Sequence, residues 1–252
     1  LYSVISDGNG SGSGALLRAE AALCKGFFDE AALYCYKAAY LAESNQQRSL
    51  GKTIQTTLSL VSICVGGKDG YEAAKQLLDK IPNENDRPGS STELTKILIE
   101  KTIYFIMGED NWLQEHSDLQ DEKSCIPWTM IVMGQLKEFY TCFRTEQYTK
   151  AIEKGDKLVL SLAESKSIYA LIIVETVLSL CYAKNGRSDL SKDHFMKAFS
   201  IAMPDSFILP FIILWEQIRN MIWTWDKKSA EEFLKRETVI RISHISREFS
   251  DK

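Results

Sequence analysis

Apolar and polar positions along the chain follow the spacing of amphipathic helices, interrupted by short polar turns. The clearest interruption is Gly26-Phe27-Phe28-Asp29-Glu30-Ala31. A helix is expected to end at Gly26, because a residue without Cβ takes the left-handed geometry that closes a helix. Phe28 covers the open end of the turn. Ala31 starts the packing face of the next helix, and Cys35 and Ala38 continue it at i+4 and i+7. Small residues there let two antiparallel helices approach closely.

The same register returns. Tyr71 and Ala74 follow Lys68-Asp69-Gly70, Tyr148 and Ala151 follow Glu146-Gln147, and Phe195 and Ala198 come after Asn185-Gly186-Arg187. Weaker copies turn at Gly108 and Asp226. With turns at Gly26, Asp69, Gly108, Glu146, Gly186 and Asp226, the intervals are 43, 39, 38, 40 and 40 residues. Leu41-Ala42-Glu43-Ser44 reappears as Leu162-Ala163-Glu164-Ser165, 121 residues later and close to three intervals. Such a period predicts stacked units, longer than the roughly 34 residues of a standard tetratricopeptide repeat. The expected fold is all-α, a tetratricopeptide-like helical-repeat solenoid of about six helix pairs with a period of about 40 residues.

Residues 1–14 read as a flexible glycine- and serine-rich opening segment, 15–228 as the solenoid, and 229–252 as one long amphipathic C-terminal helix, a cap or connector. The glycine-rich stretch 6–14 lacks the Gly-Lys-Ser/Thr ending of a phosphate-binding loop. Polar breaks fall at 82–91, at 118–123 before Pro127, and at Met203-Pro204-Asp205-Ser206. The last precedes a very apolar helix expected over 207–225, with Trp215, Trp223 and Trp225. On the terminal helix, Phe233, Val239, Ile240, Ile242 and Ile245 form the apolar side.

Charge and composition narrow the function classes. The net charge is −4 with a pI near 5.6, unlike the basic face of a nucleic-acid-binding domain; direct nucleic-acid contact by this segment is not expected. Six cysteines, at 24, 35, 64, 125, 142 and 181, form no C-x-x-C pair and sit in apolar surroundings. They read as buried thiols in a reducing compartment. No signal-peptide pattern opens the chain, and the longest apolar run, 207–215, is too short to span a bilayer. A soluble, cytoplasmic protein without membrane contact is expected, and the start at Leu1 suggests a piece of a longer chain. His116, His194 and His244 share no ligand spacing, and no zinc pattern or nucleophile elbow occurs. Neither catalysis, a metal nor a cofactor is expected here.

Residues 18–31 and 36–44 resemble the first repeats of the regulatory region in large bacterial LuxR-type transcription factors, the maltose-activator-like signal-transducing ATPases. The stretch 197–205, with Leu209-Pro210-Phe211, looks like the end of that region, and Ile5-Ser6-Asp7-Gly8-Asn9-Gly10-Ser11-Gly12 is similar as well. The resemblance covers roughly residues 5–215. It implies an ATPase core before this segment and a DNA-reading helix-turn-helix after it; neither motif occurs within it. It also implies that the segment senses an inducer or self-associates. The alternative is a tetratricopeptide-type scaffold that docks a protein partner and no small molecule.

In a two-helix solenoid the first helices line the concave side. Six residues before the turns stand Glu20, Ile63, Thr102, Tyr140, Leu180 and Asn220; three before stand Leu23, Gly66, Phe105, Phe143, Ala183 and Trp223; ten before, Thr176 and Glu216 are among the set. The candidate groove residues for a small-molecule inducer or protein partner are Glu20, Thr102, Tyr140, Glu216, Asn220 and Trp223.

Overall fold

The computed structural model describes residues 12–79 and 128–250. Thr102, the turn at Gly108, His116, Cys125 and the breaks at 82–91 and 118–123 lie outside the described residues. Among the described residues every regular element is a helix, and sequence neighbours pack in pairs. None of these helices is long and apolar enough to cross a membrane. The chain divides into two compact units, Leu1–Trp112 with Arg247–Lys252, and Leu113–Ser246.

In the first unit, α1 (Gly12–Cys24) packs on α2 (Phe28–Ser44), and both pack on α3 (Arg48–Asp79). Ala15, Leu16, Ala38, Ala42 and Ile54 form a core among them. The helix begins at Gly12, so its first three residues lie within the expected flexible segment. A Cβ on Gly12 would stand 2.6 Å from the Ala38 carbonyl, so glycine permits this helix crossing. The helical span runs through Asp69, where the sequence predicts a turn. A straight helix would separate Ser62 from Gly70 by about 12 Å, yet a Cβ on Gly70 would overlap the Ser62 carbonyl. The α3 span therefore folds back sharply between them, with Tyr71 and Ala74 buried beyond the bend.

In the second unit, α4 (Trp128–Arg144), α5 (Tyr148–Glu164), α6 (Ile168–Lys184) and α7 (Ser188–Ala202) follow one another, each packed on the next. A 3-10 turn (Met203–Asp205), α8 (Leu209–Ile213), α9 (Trp215–Ile222), α10 (Lys227–Leu234) and α11 (Glu237–Ser250) as far as Ser246 complete it. Helix α6 is apolar around its circumference, with buried residues on every side from Leu171 to Tyr182. It touches α4, α5, α7, α8 and α9.

One turn recurs. After α1, the N–H of Gly26 donates to Leu23 O and that of Phe27 to Ala22 O, at 3.0 and 2.9 Å. This pair of bonds satisfies carbonyls that a helix end leaves open. The same pair closes α2 through Gln46 and Gln47, α4 through Glu146 and Gln147, α5 through Lys166 and Ser167, and α6 through Gly186 and Arg187. Ser206 and Phe207 repeat it after the 3-10 turn. The left-handed residues are Gly26 and Gln46, then Glu146, Lys166, Gly186 and Ser206, twenty residues apart within each run. The buried faces share that frame. Ala31, Cys35, Ala38 and Ala42 on α2 correspond to Ala151, Gly155, Leu158 and Leu162 on α5, and to Ser191, Phe195, Ala198 and Ala202 on α7. Ala42 and Leu162 accept the equivalent bond. The two Leu-Ala-Glu-Ser strings are thus one residue out of register, and their likeness does not mark equivalent positions.

Two expected helices are broken. The span 207–225 divides at Leu214 into α8 and α9, with Pro210 in the first turn of α8. Trp215 and Trp225 are buried, but Trp223 is 55% exposed. The expected single C-terminal helix divides at Lys235-Arg236, and its start at 229 falls inside α10, which Asp226 caps by accepting from Ser229 N–H at 2.9 Å. Phe233 packs with Phe195, Phe199 and Trp225. Val239 and Ile242 are buried, whereas Ile240 is exposed.

Candidate functional site

A cavity of about 360 Å³ opens in the second unit where the C-terminal ends of α4 and α6 meet α9. Phe143 and Arg144 end α4 on one side, Glu146 follows in the turn and Tyr148 opens α5. Leu180, Ala183 and Lys184 of α6 form the second wall, and Gln217, Asn220, Met221 and Thr224 the third. The turn frame explains the convergence. Phe143 and Ala183 stand equally far before their left-handed residues, as do Arg144 and Lys184. Stacked helices that end alike bring these positions to one edge. The lining combines an apolar floor, two amides, two cations and one carboxylate. Burial pushes the Tyr148 phenol up, and the Glu146 charge adds to that shift.

The expected groove residues do not gather. Asn220 lines the cavity and is exposed. Tyr140 is one turn of α4 away from Phe143, half-buried with its ring 5.5 Å from that of Phe139, and burial raises its phenol. It does not line the cavity, nor does Trp223. Glu216 points to solvent and pairs with Arg219 one turn along α9, at 2.8 Å. Glu20 belongs to the first unit, where its half-buried carboxyl is raised by burial and partly restored by a hydrogen bond from Thr57. Counting along a helix fixes an angle but not the depth at which neighbouring helices cover it. Among the lining side chains the expectation missed, Arg144, Lys184 and Thr224 stand one position past Phe143, Ala183 and Trp223, again 40 residues apart, and Glu146, Tyr148, Gln217 and Met221 complete the set.

A second polar cluster lies on the other side of α6. Glu175 is fully buried and binds His194 Nδ1 at 2.6 Å and the Lys197 ammonium. The His194 ring stacks on Tyr182 at 4.9 Å, and the Tyr182 hydroxyl donates to Asp156 at 3.2 Å. Burial alone would raise the Glu175 carboxyl, but His194 and Lys197 outweigh it and hold the carboxyl below its ordinary value. These contacts tie α5, α6 and α7 together. Among the described residues, no three His, Cys, Asp or Glu side chains are placed to hold a metal ion.

Compared with protein-family models, curated proteins and solved structures, the chain has no match.

Proposed function

We propose that the chain is a helical-repeat binding module, a solenoid of two-helix units with a 40-residue period, that holds a small molecule at the C-terminal ends of its first helices. The observation that carries this reading is the cavity. Its walls come from α4, α6 and α9, and its size falls within the range of small-molecule sites. The twenty-residue spacing of the turns supports the repeat. The lining offers apolar contact, hydrogen bonds and charge, the mixture a binding site uses. In the wider reading the module senses an inducer for a LuxR-type transcriptional regulator, and the support for that is the resemblance in sequence.

Thermal melting across a broad metabolite set tests the binding reading. A ligand at a hundred times its Kd stabilises by about 2.7 kcal/mol, or about 5–10 °C for a domain of this size. The shift should vanish in Asn220→Trp, which fills the cavity from an exposed position. A set in which no compound shifts the wild type would remove the small-molecule reading. For the regulator, the reading frame after Lys252 should encode a helix-turn-helix; a stop codon or an unrelated domain there would remove that assignment.

A protein-docking scaffold is the second reading, favoured by one observation. Leu33, Tyr36 and Tyr40 form an exposed apolar stripe on α2, each more than 60% accessible. If it docks a partner, Tyr36→Asp and Tyr40→Asp should release that partner while leaving melting unchanged.

A further inference from the structure

We infer that the outer face of α2 docks a helix of a partner protein, one whose apolar stripe carries a lysine or arginine at each end. The inference rests on the docking reading above, for which it names the partner, and it uses no residue of the cavity. Leu33, Tyr36 and Tyr40 are 66%, 63% and 71% exposed. The buried residues Ala31, Cys35, Ala38 and Ala42 take the opposite side of the helix. The repeat frame shows that the fold does not call for the exposed stripe. At the positions of Leu33 and Tyr36, α5 carries Glu153 and Asp156, and α7 carries Asp193 and Met196.

Spacing selects a helix as the occupant. Asp29, Leu33, Tyr36, Tyr40 and Glu43 follow one another at steps of four, three, four and three residues, the seam along which two helices interlock. Charge selects the kind of helix. The seam is apolar at its three middle positions and acidic at both ends, which stand about 21 Å apart at 1.5 Å per residue. Among the described residues, neither Asp29 nor Glu43 has an ion-pair partner, and neither side chain accepts a hydrogen bond. On the matching face of α5, by contrast, Asp156 accepts from Tyr182. Asp29 lies in the first turn, where the helix dipole favours an anion, but Glu43 lies in the last turn, where the dipole opposes one. Helix α2 itself therefore gains nothing from Glu43. A second copy of α2 laid on this face would set acid against acid at both ends, in either direction. An anionic membrane surface is repelled in the same way. A helix with a cation at each end of its seam meets both carboxylates while its apolar residues cover the tyrosines.

Fluorescence anisotropy of the whole chain with two labelled peptides of about 15 residues tests the assignment. Both are alanine-rich helices with leucine at the three central seam positions. One carries lysine at the two seam ends, the other glutamate. The lysine peptide should bind, and the glutamate peptide should bind about tenfold more weakly or worse. Tyr36→Asp combined with Tyr40→Asp should abolish binding of the lysine peptide and leave melting unchanged, whereas attraction by charge alone would grow stronger in that variant. Asp29→Lys combined with Glu43→Lys should reverse the preference between the peptides. A glutamate peptide that binds wild type as tightly as the lysine peptide would overturn the basic partner and keep the docking reading. Undiminished binding of the lysine peptide to the double aspartate variant would overturn the stripe and the docking reading together. Neither peptide binding would remove the inference, leaving the docking reading to its own partner-release test. Sedimentation of the free chain adds one outcome: a dimer that the two aspartates dissolve would seat a second copy on this face and overturn the partner helix.

Discussion

Glu175 is the position where the account of the fold is most exposed to test. Its carboxylate has no solvent contact and accepts from two donors, His194 and Lys197, on the next helix. Glu175→Gln keeps the shape and removes the charge. An amide has one acceptor oxygen where two donors converge, so one donor loses its partner and the amide's own N–H groups gain none. Each unsatisfied buried group costs about 1–3 kcal/mol. Lys197 is half exposed and His194 one-fifth exposed, so water can recover part of the loss. That places the substitution at about 2–3 kcal/mol, below the 3–5 kcal/mol typical of breaking a fully buried pair. Glu175→Met should cost at least as much, because it takes the acceptor away from both donors and leaves the mostly buried His194 side chain unpaired. Urea denaturation followed by the fluorescence of Trp215 and Trp225, which are buried in the same unit, measures both. A Glu175→Gln protein within about 0.5 kcal/mol of wild type would refute the reasoning, being smaller than the cost of a single unsatisfied group.

Three further outcomes follow from the same structure. The folded-state carboxyl of Glu175 is depressed, so its contribution is present above the ordinary carboxyl value, about 4.3, and is lost as pH falls through the lower folded value; acid unfolding of Glu175→Gln should be flatter across that window than that of wild type. Gly155→Ala would set a Cβ 2.6 Å from Leu178 Cδ2 and 2.7 Å from Phe139 Cε2, and overpacking of about 1–3 kcal/mol should outweigh the helix preference of alanine in a denaturant titration. At the turns the two directions should oppose: Gly186→Ala strains a backbone at φ +73°, while Lys166→Gly relieves one at φ +56°, so the first should lower and the second raise stability by about 1 kcal/mol each.

The turns show how far sequence reached. Gly26 and Gly186 were legible because only glycine takes the left-handed backbone freely. Gln46 and Lys166 adopt it without announcing it, because hydrogen bonds and the packing of flanking helices impose it, whereas Ser206 closes the polar break legible at Met203-Pro204-Asp205-Ser206. The turns at Gln46 and Lys166 were therefore hidden, and the sequence showed a 40-residue interval where the left-handed turns at 26–46 and 146–206 stand twenty residues apart. The breaks at Leu214 and at Lys235-Arg236 contain no glycine or proline, so periodicity ran through them. At the site, counting back from the turns reached Phe143, Leu180, Ala183 and Asn220, all of which line the cavity. It preferred Tyr140 and Trp223 for their contact area and passed over Arg144 and Lys184, whose convergence depends on how the helix ends stack. Glu175 did leave a signal: it is the one acidic residue in the apolar α6, and a lone charge there needs partners.

Amide NMR of the isotopically labelled chain, titrated with a compound that raises its melting temperature, tests the binding site most directly. The account predicts shift changes concentrated at Phe143, Ala183, Lys184, Asn220 and Thr224, with the amides of α2 unmoved. Changes confined to α2 around Leu33, Tyr36 and Tyr40, with the cavity residues silent, would contradict it.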